Sequence, residues 1–324
     1  MKPLKYLFIS SMLFVATSCG NSWLDLEPST SVDTETSIKI LSDVEFTLNG
    51  IYSTMQSSDA YSGRLVYYGD VTGDDMQAVS STKRVANYYR FNFTKDDNPS
   101  SHWSYLYSII QNCNLILMNI DKLVIDEGDK AYRDDLKGEA LAIRGLALFD
   151  LTRIFGYPYL KDDGASLGVP IIEGLSTIDS KPTRNTVAQC YTKIIDDLTQ
   201  SLSLLGEKFN KGKINKWGAM VLLSRVYLYK GENANALKMA SDAITGAEKN
   251  KYALWTNEDY PTAWGEDASA SKPGEVLFEI VNLTTDSPGK ESMGYLNSYD
   301  GYDDMCITCS FYQFLKEDPE GYTS

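Results

Sequence analysis

Cys306 and Cys309, spaced Cys-x-x-Cys, are the first residues here whose type and interval suggest chemistry. Such a pair can supply half of a zinc site or cycle as a redox dithiol. Structural zinc takes four ligands, and the single histidine of the chain, His102, lies far away in sequence. A local disulfide or two semi-buried thiols is the expected state of the pair. His102 itself has no nucleophile motif beside it and reads as a surface or capping group. The 44 acidic residues leave room for the paired carboxylates of a glycosidase, but no motif singles out a pair. No catalytic residue, metal site or cofactor is therefore assigned. The aromatic residues remain. Trp255, Tyr260, Trp264, Tyr295, Tyr299, Tyr302 and Tyr312 sit among Gly, Ser, Asp and Pro without a core-like period, and Tyr88 and Tyr89 lie in an earlier segment of similar character. Such rings either form the core of an irregular subdomain or, held in loops, offer flat apolar faces beside hydroxyl-binding amides and carboxylates, as sugar recognition requires. Tyr260, Trp264, Tyr295, Tyr299, Tyr302, Tyr88 and Tyr89 are the candidate ligand-binding residues.

The elements that must hold these loops are helical. The dominant one covers residues 138 to 160, where Leu141, Ile143, Leu146, Leu148, Phe149, Leu151, Ile154 and Phe155 spread almost all round a helical wheel. A helix apolar all round is a buried one. Glu139, Asp150 and Arg153 share its narrow polar side, whereas Arg144 falls among the leucines and needs a partner. Gly156 is placed to take a left-handed C-terminal position, with Pro158 just beyond. Further helices are predicted over Ser37 to Gln56, Trp103 to Leu123 and Val187 to Leu205, from apolar residues at spacings of three and four. A tight pair follows, Lys216 to Tyr229 and Ala234 to Ala247, turning at Gly231-Glu232. In it Leu223, Ser224, Tyr227, Ala236, Ala240 and Ala243 match the large, small, tyrosine and alanine spacing of a tetratricopeptide repeat. Two excursions, 57–101 and Tyr157 to Asn185, interrupt the helices. Beyond Tyr252 the chain turns irregular, with Val276, Phe278 and Ile280 alternating against Leu277, Glu279 and Val281 as a short strand would.

The helix with its Glu-Ala, Arg144, Phe-Asp-Leu, Arg153, Phe-Gly and Pro-x-Leu sequence resembles the hallmark helix of the SusD/RagB family. Leu24-Asp25-Leu26-Glu27-Pro28 is similar to the Leu-Asp-x-x-Pro motif near the mature N-terminus of its members. The resemblance runs from Cys19 to the end. It implies a mostly all-α fold: a tetratricopeptide-like helical repeat scaffold carrying an irregular, aromatic-rich second lobe. The implied organisation is a signal peptide over 1–18, a helical region over 19–251, and over 252–324 the start of a C-terminal region that family members continue beyond Phe311-Tyr-Gln-Phe-Leu, so the chain is expected to be cut short.

Lys2 and Lys5, an apolar run from Leu7 to Val15 and then Ala16-Thr17-Ser18-Cys19 form a secretion signal ending in a lipobox. Cys19 is the expected lipid attachment site. No other stretch approaches the ~20 apolar residues needed to span a bilayer. The formal charge of −14 sets the chain against nucleic acid, whose phosphates it repels. Together with the resemblance, these features imply a lipid-anchored, cell-surface protein of the bacterial outer membrane that is not an enzyme. Such a protein captures an oligosaccharide and passes it to a TonB-dependent, SusC-like transporter. A RagB-like binder of peptides or another nutrient is the alternative, and a glycoside hydrolase the more distant one.

Overall fold

In a computed structural model, residues 37–73, 75–94, 100–177, 179–263, 274–283 and 285–317 are described. Cys19, Leu24 to Pro28, Asp74 and Trp264 lie outside these residues. The described residues from Ile40 onward form one compact unit. Its elements are α1 (Leu41–Met55), α2 (Arg64–Thr72), β1 (Met76–Ala78), α3 (Ala86–Tyr89), α4 (Ser100–Asn119), α5 (Lys130–Phe155), α6 (Val187–Leu204), α7 (Lys216–Lys230), α8 (Asn233–Lys249), α9 (Tyr260–Ala263), α10 (Met293–Asn297), β2 (Met305–Ile307) and α11 (Cys309–Glu317). The architecture is mostly helical, as expected.

Helix α5 is the axis of the array. It packs between α4 and α6, α1 lies across α4 and α5, α7 follows on α6, and α8 closes on α7. From Leu136 to Thr152 nearly every residue of α5 is buried. Small residues set the spacing: a Cβ on Gly145 would stand 3.0 Å from the Leu198 side chain of α6. Local signals fix the neighbouring boundaries. Thr186 and Gln189 form a reciprocal capping box at the start of α6. The Asn215 side chain accepts the N–H groups of Trp217 and Gly218 to open α7, and Gly231, at φ 83°, takes the left-handed position that ends it. In the last pair Leu223, Ala236 and Ala243 are buried, and Ser224 donates to the Ala236 carbonyl at 2.8 Å across the interface.

Two local expectations, for Gly156 and His102, are corrected, and the polar side of α5 is given its partners. Gly156 is extended (φ −102°, ψ 177°) rather than left-handed; glycine is needed there because a Cβ would meet the Thr152 carbonyl oxygen at 2.6 Å. Glu139 and Asp150 do sit on the polar side of α5, but neither faces water. Each is covered by a tyrosine of the N-terminal region, Tyr52 donating to Glu139 at 2.7 Å and Tyr61 donating to Asp150 at 2.7 Å. His102 is fully buried, because the 57–94 excursion folds over it. Its Nδ1 lies 3.0 Å from the Asp59 carbonyl oxygen, a geometry that puts the ring proton on Nδ1.

Arg144 has the partner its position demanded. Its guanidinium donates to both carboxylate oxygens of Asp197 on α6, at 2.8 and 2.6 Å, and to Asn114 Oδ1 on α4 at 2.8 Å. Asn114 in turn donates to the carbonyls of Ile172 and Gly174, and Arg184 donates to those of Phe155, Leu167 and Gly168. The second excursion is thereby tied to the array. Among the described residues no helix is long and apolar enough to cross a membrane.

Candidate functional site

The first excursion and the irregular C-terminal region meet in one lobe. Strands β1 and β2 pair antiparallel, Met76 opposite Ile307, Gln77 opposite Cys306 and Ala78 opposite Met305. Tyr67 and Val71, one helical turn apart on α2, are buried with Val85, Leu296 and Met305, and Tyr88 and Tyr302 pack on this small core. The excursion was expected to lack helical rhythm, yet it contains α2, whose buried face is only Tyr67 and Val71. A stripe of two residues is too short to register as a period.

Five of the seven candidate ligand-binding residues fall in this lobe or on the segments that build it. Tyr302 stands edge-on to Tyr295, their ring centroids 5.1 Å apart. Tyr88 is edge-on to Tyr68 at 5.3 Å and lies 5.9 Å from Phe93. Tyr299 is 88% exposed and Tyr89 39% exposed, so these two present ring faces to solvent while Tyr88 and Tyr302 also serve as core. Tyr260, on α9, stands instead edge-on to Trp255 at 6.0 Å, outside the buried cluster on which Tyr88 and Tyr302 pack. Trp264 lies outside the described residues.

Polar groups surround the rings. The Arg84 guanidinium sits 3.7 Å above the Tyr302 ring, reaches Glu291 at 3.2 Å and stands 3.8 Å from the buried carboxylate of Asp304. Lys83 donates to the Tyr302 carbonyl, and the Lys290 ammonium lies 5.8 Å from the Tyr295 ring centroid. A cation over a ring is attracted by its quadrupole, so Arg84 fixes the orientation of Tyr302 while occupying one of its faces. Sequence reading missed Arg84, Glu291, Phe91 and Phe93; the last two are 64% and 38% exposed. Phe91 and Phe93 follow Tyr88-Tyr89 so closely that the aromatic density of 88–93 was the available signal.

Cys306 and Cys309 are free thiols and exposed, not semi-buried. Cys306 lies in β2 and Cys309 opens α11, so one is held by the ladder and the other by the helix. Among the described residues no three His, Cys, Asp or Glu side chains gather as a metal site. His102 is pushed below its ordinary pKa by burial.

A separate cleft of about 780 Å³ opens between α2, the end of α5, α7 and residues 275–278. At its base Asp150 is held by Tyr61 and by Arg153, whose guanidinium lies 4.9 Å from the Phe149 ring centroid and 5.4 Å from that of Tyr229. None of the candidate ligand-binding residues lines it.

Comparison with known proteins agrees with this architecture. A family described as SusD-like, starch-binding associating with outer membrane, matches residues 22–228. SusD-like protein P2 of Formosa agariphila is 28% identical over 311 residues, which are 93% of this chain and 57% of that protein. A solved structure from Bacteroides vulgatus, described as a candidate sugar-binding protein, is 81% identical with a TM-score of 0.86 over 88% of this chain and 64% of that one. A SusD superfamily structure from the same organism is 37% identical with a TM-score of 0.79, over 87% of this chain and 64% of its own. The chain thus spans less than two thirds of the length of each of these relatives.

Proposed function

This chain belongs to the SusD-like family, and on that premise we propose that it binds a nutrient oligosaccharide through its aromatic lobe and delivers it to a TonB-dependent, SusC-like barrel in the outer membrane. The observation that carries the reading is the β1–β2 pairing. It joins two segments far apart in sequence, each rich in tyrosine, into one lobe where the half-buried ring of Tyr302 lies under the ion-paired Arg84 and the segments also carry the exposed rings of Tyr89 and Tyr299. Sugars ask for that combination, flat apolar faces for the ring carbons and fixed polar groups for the hydroxyls. A binding rather than catalytic role fits the family description, and the buried carboxylates of α5 are already engaged by tyrosines.

Tyr299 is the test. Its ring is almost fully exposed, so removing it leaves no cavity. With an oligosaccharide selected from a glycan panel that begins with starch fragments, Tyr299→Ala is expected to weaken binding at least several-fold in calorimetry, about 1–3 kcal/mol by comparison with other stacking sites. The melting temperature stays within a degree or so. Unchanged affinity removes Tyr299 from the site, and a panel with no binder at all turns the reading toward peptides or another nutrient.

The anchoring half of the proposal rests on Ala16-Thr17-Ser18-Cys19. A single lipid chain binds membranes reversibly, and stable attachment needs more than one, as a lipidated N-terminal cysteine supplies. Cys19→Ala is expected to move the protein from the outer-membrane fraction to the soluble one and to abolish co-purification of a membrane barrel without touching glycan affinity. Retention of the variant in membranes washed with high salt ends the anchor reading.

A further inference from the structure

Cys306 and Cys309 are exposed and unbridged, and the backbone between them explains why they are not joined to each other. Cys306 lies in β2 opposite Gln77. The ladder extends one bond past each end of the paired strands. At one end the Val79 N–H donates to the Asp304 carbonyl at 3.2 Å, and at the other the Thr308 N–H donates to the Asp75 carbonyl at 2.9 Å. Hydrogen-bonded pairs alternate along an antiparallel ladder, so Gln77 and Cys306 are the bonded pair midway between those two. Thr308 thus ends the ladder and at the same time begins α11. Its carbonyl accepts the Tyr312 N–H at 3.0 Å and its hydroxyl the Phe311 N–H at 3.2 Å. A residue with those contacts is a helix N-cap, and the backbone of an N-cap is extended.

The separation of Cys306 and Cys309 is set by the two residues between them. Ile307 belongs to the strand and Thr308 is the extended cap, so three successive rises of about 3.3 Å hold the two cysteine Cα atoms roughly 10 Å apart. A disulfide brings its Cα atoms to about 4.4–6.8 Å. The bridge and the end of the ladder therefore cannot coexist. Closing the bridge bends Ile307 and Thr308 into a turn, which takes the Thr308 N–H from Asp75 and the cap from α11. It also pulls on Met305, next to Cys306, which is buried in the small core of the lobe with Tyr67, Val71, Val85 and Leu296.

We propose that Cys306 and Cys309 are a redox modification site, at which an external disulfide oxidises the pair to an intramolecular bridge that opens the Thr308 end of the β1–β2 ladder and loosens the aromatic lobe. One cysteine thiolate attacks a sulfur of the external disulfide and expels its first thiol. Breaking the Thr308–Asp75 bond then lets the second cysteine reach the mixed disulfide, attack the sulfur held by the protein and expel the second thiol. Two electrons pass from the cysteine pair to the external disulfide, and the two cysteine protons are taken up by the released thiols. The opening of the ladder stands on the backbone alone, whereas its effect on a ligand rests on the glycan reading of this lobe.

The test equilibrates the protein with reduced or oxidised glutathione, locates bridges by peptide mapping and follows amide hydrogen exchange. A bridge between Cys306 and Cys309 of the same chain is expected, with Thr308 exchanging roughly tenfold faster or more in the bridged protein, because its amide has lost its acceptor. Ala219, in the helical array, is unchanged, and dithiothreitol restores the slow exchange of Thr308. Cys309→Ser, a change at an exposed position, takes up glutathione on Cys306 and keeps Thr308 slow. The bridged protein should also bind the oligosaccharide from the panel several-fold more weakly. Fast exchange at Thr308 with full affinity upholds the switch and removes this lobe as the glycan surface. The proposal is overturned by a bridge that leaves Thr308 slow, by mixed disulfides that never close, or by bridges that form only between chains.

Discussion

Asp197→Ala is expected to cost about 3–5 kcal/mol, measured by urea unfolding at neutral pH, the amount typical of removing one partner from a buried ion pair. Asp197 is fully buried, Arg144 nearly so, and the two share a bidentate contact at 2.8 and 2.6 Å. Without the carboxylate, the guanidinium stays in the interior with only the Asn114 side chain to answer it. It cannot neutralise itself by losing a proton. The reverse change is milder, because Asp197 without Arg144 keeps the Lys193 ammonium at 3.2 Å. The order of effects is therefore Asp197→Ala above Arg144→Met, with the double variant Arg144→Met and Asp197→Leu less destabilised than Asp197→Ala alone, since two apolar groups need no partner. A cost for Asp197→Ala below about 1 kcal/mol contradicts the claim that this pair needs both members, since breaking a buried pair normally costs several times that.

Raising the pH from 5 to 8 is expected to weaken the wild type more than Glu139→Gln. Burial pushes the Glu139 carboxyl up to about 7, with Asp135 and Glu45 adding to the shift and Lys213 and the Tyr52 hydroxyl opposing it. In the unfolded chain the same group titrates near an ordinary glutamate. Between those values the folded state holds a proton that the unfolded state has lost, so stability falls as pH rises through that window and is level above it. A displacement of that size amounts to roughly 3 kcal/mol. Glutamine has no proton to lose and still accepts from Tyr52, whose hydroxyl also receives the Ile214 N–H at 3.0 Å. The difference between variant and wild type should thus widen by about that amount from pH 5 to 8. A constant difference removes Glu139 as the titrating group.

The helical array was legible because its signals are local. Apolar residues recur at helical spacing, Thr186 with Gln189 and Asn215 mark starts, and Gly231 marks an end. Arg144 could be read as needing a partner, but not which one, since Asp197 lies 53 residues away on another helix. The aromatic lobe was legible only as composition. Tyr88, Tyr295 and Tyr302 stood out as rings in loops, whereas the pairing that gathers them depends on three residue pairs across β1 and β2, too few to leave a periodic trace. His102 was read as a surface or capping group because polar residues usually face solvent, and Glu139 and Asp150 only as the narrow polar side of their helix; each is buried under a tyrosine or an excursion whose path no neighbouring residue encodes. Residues 275–281 had the pattern of a strand and, among the described residues, lack the partner that would make it one.

The short β1–β2 ladder also sets an order of events. Gln77 and Cys306 are 229 positions apart, while α4 through α8 pack mainly on their chain neighbours. Contacts between near neighbours close small loops and form early; contacts between distant ones wait on a large loss of chain entropy. The helical array can therefore consolidate while the polypeptide is still emerging, and the 57–94 excursion has nothing to pair with until β2 arrives. During that interval Tyr67, Tyr88 and Val85 are uncovered apolar side chains on an otherwise folded protein. The aromatic surface proposed to meet the ligand is the last to exist, and until then it is the part of the chain most exposed to aggregation and proteolysis.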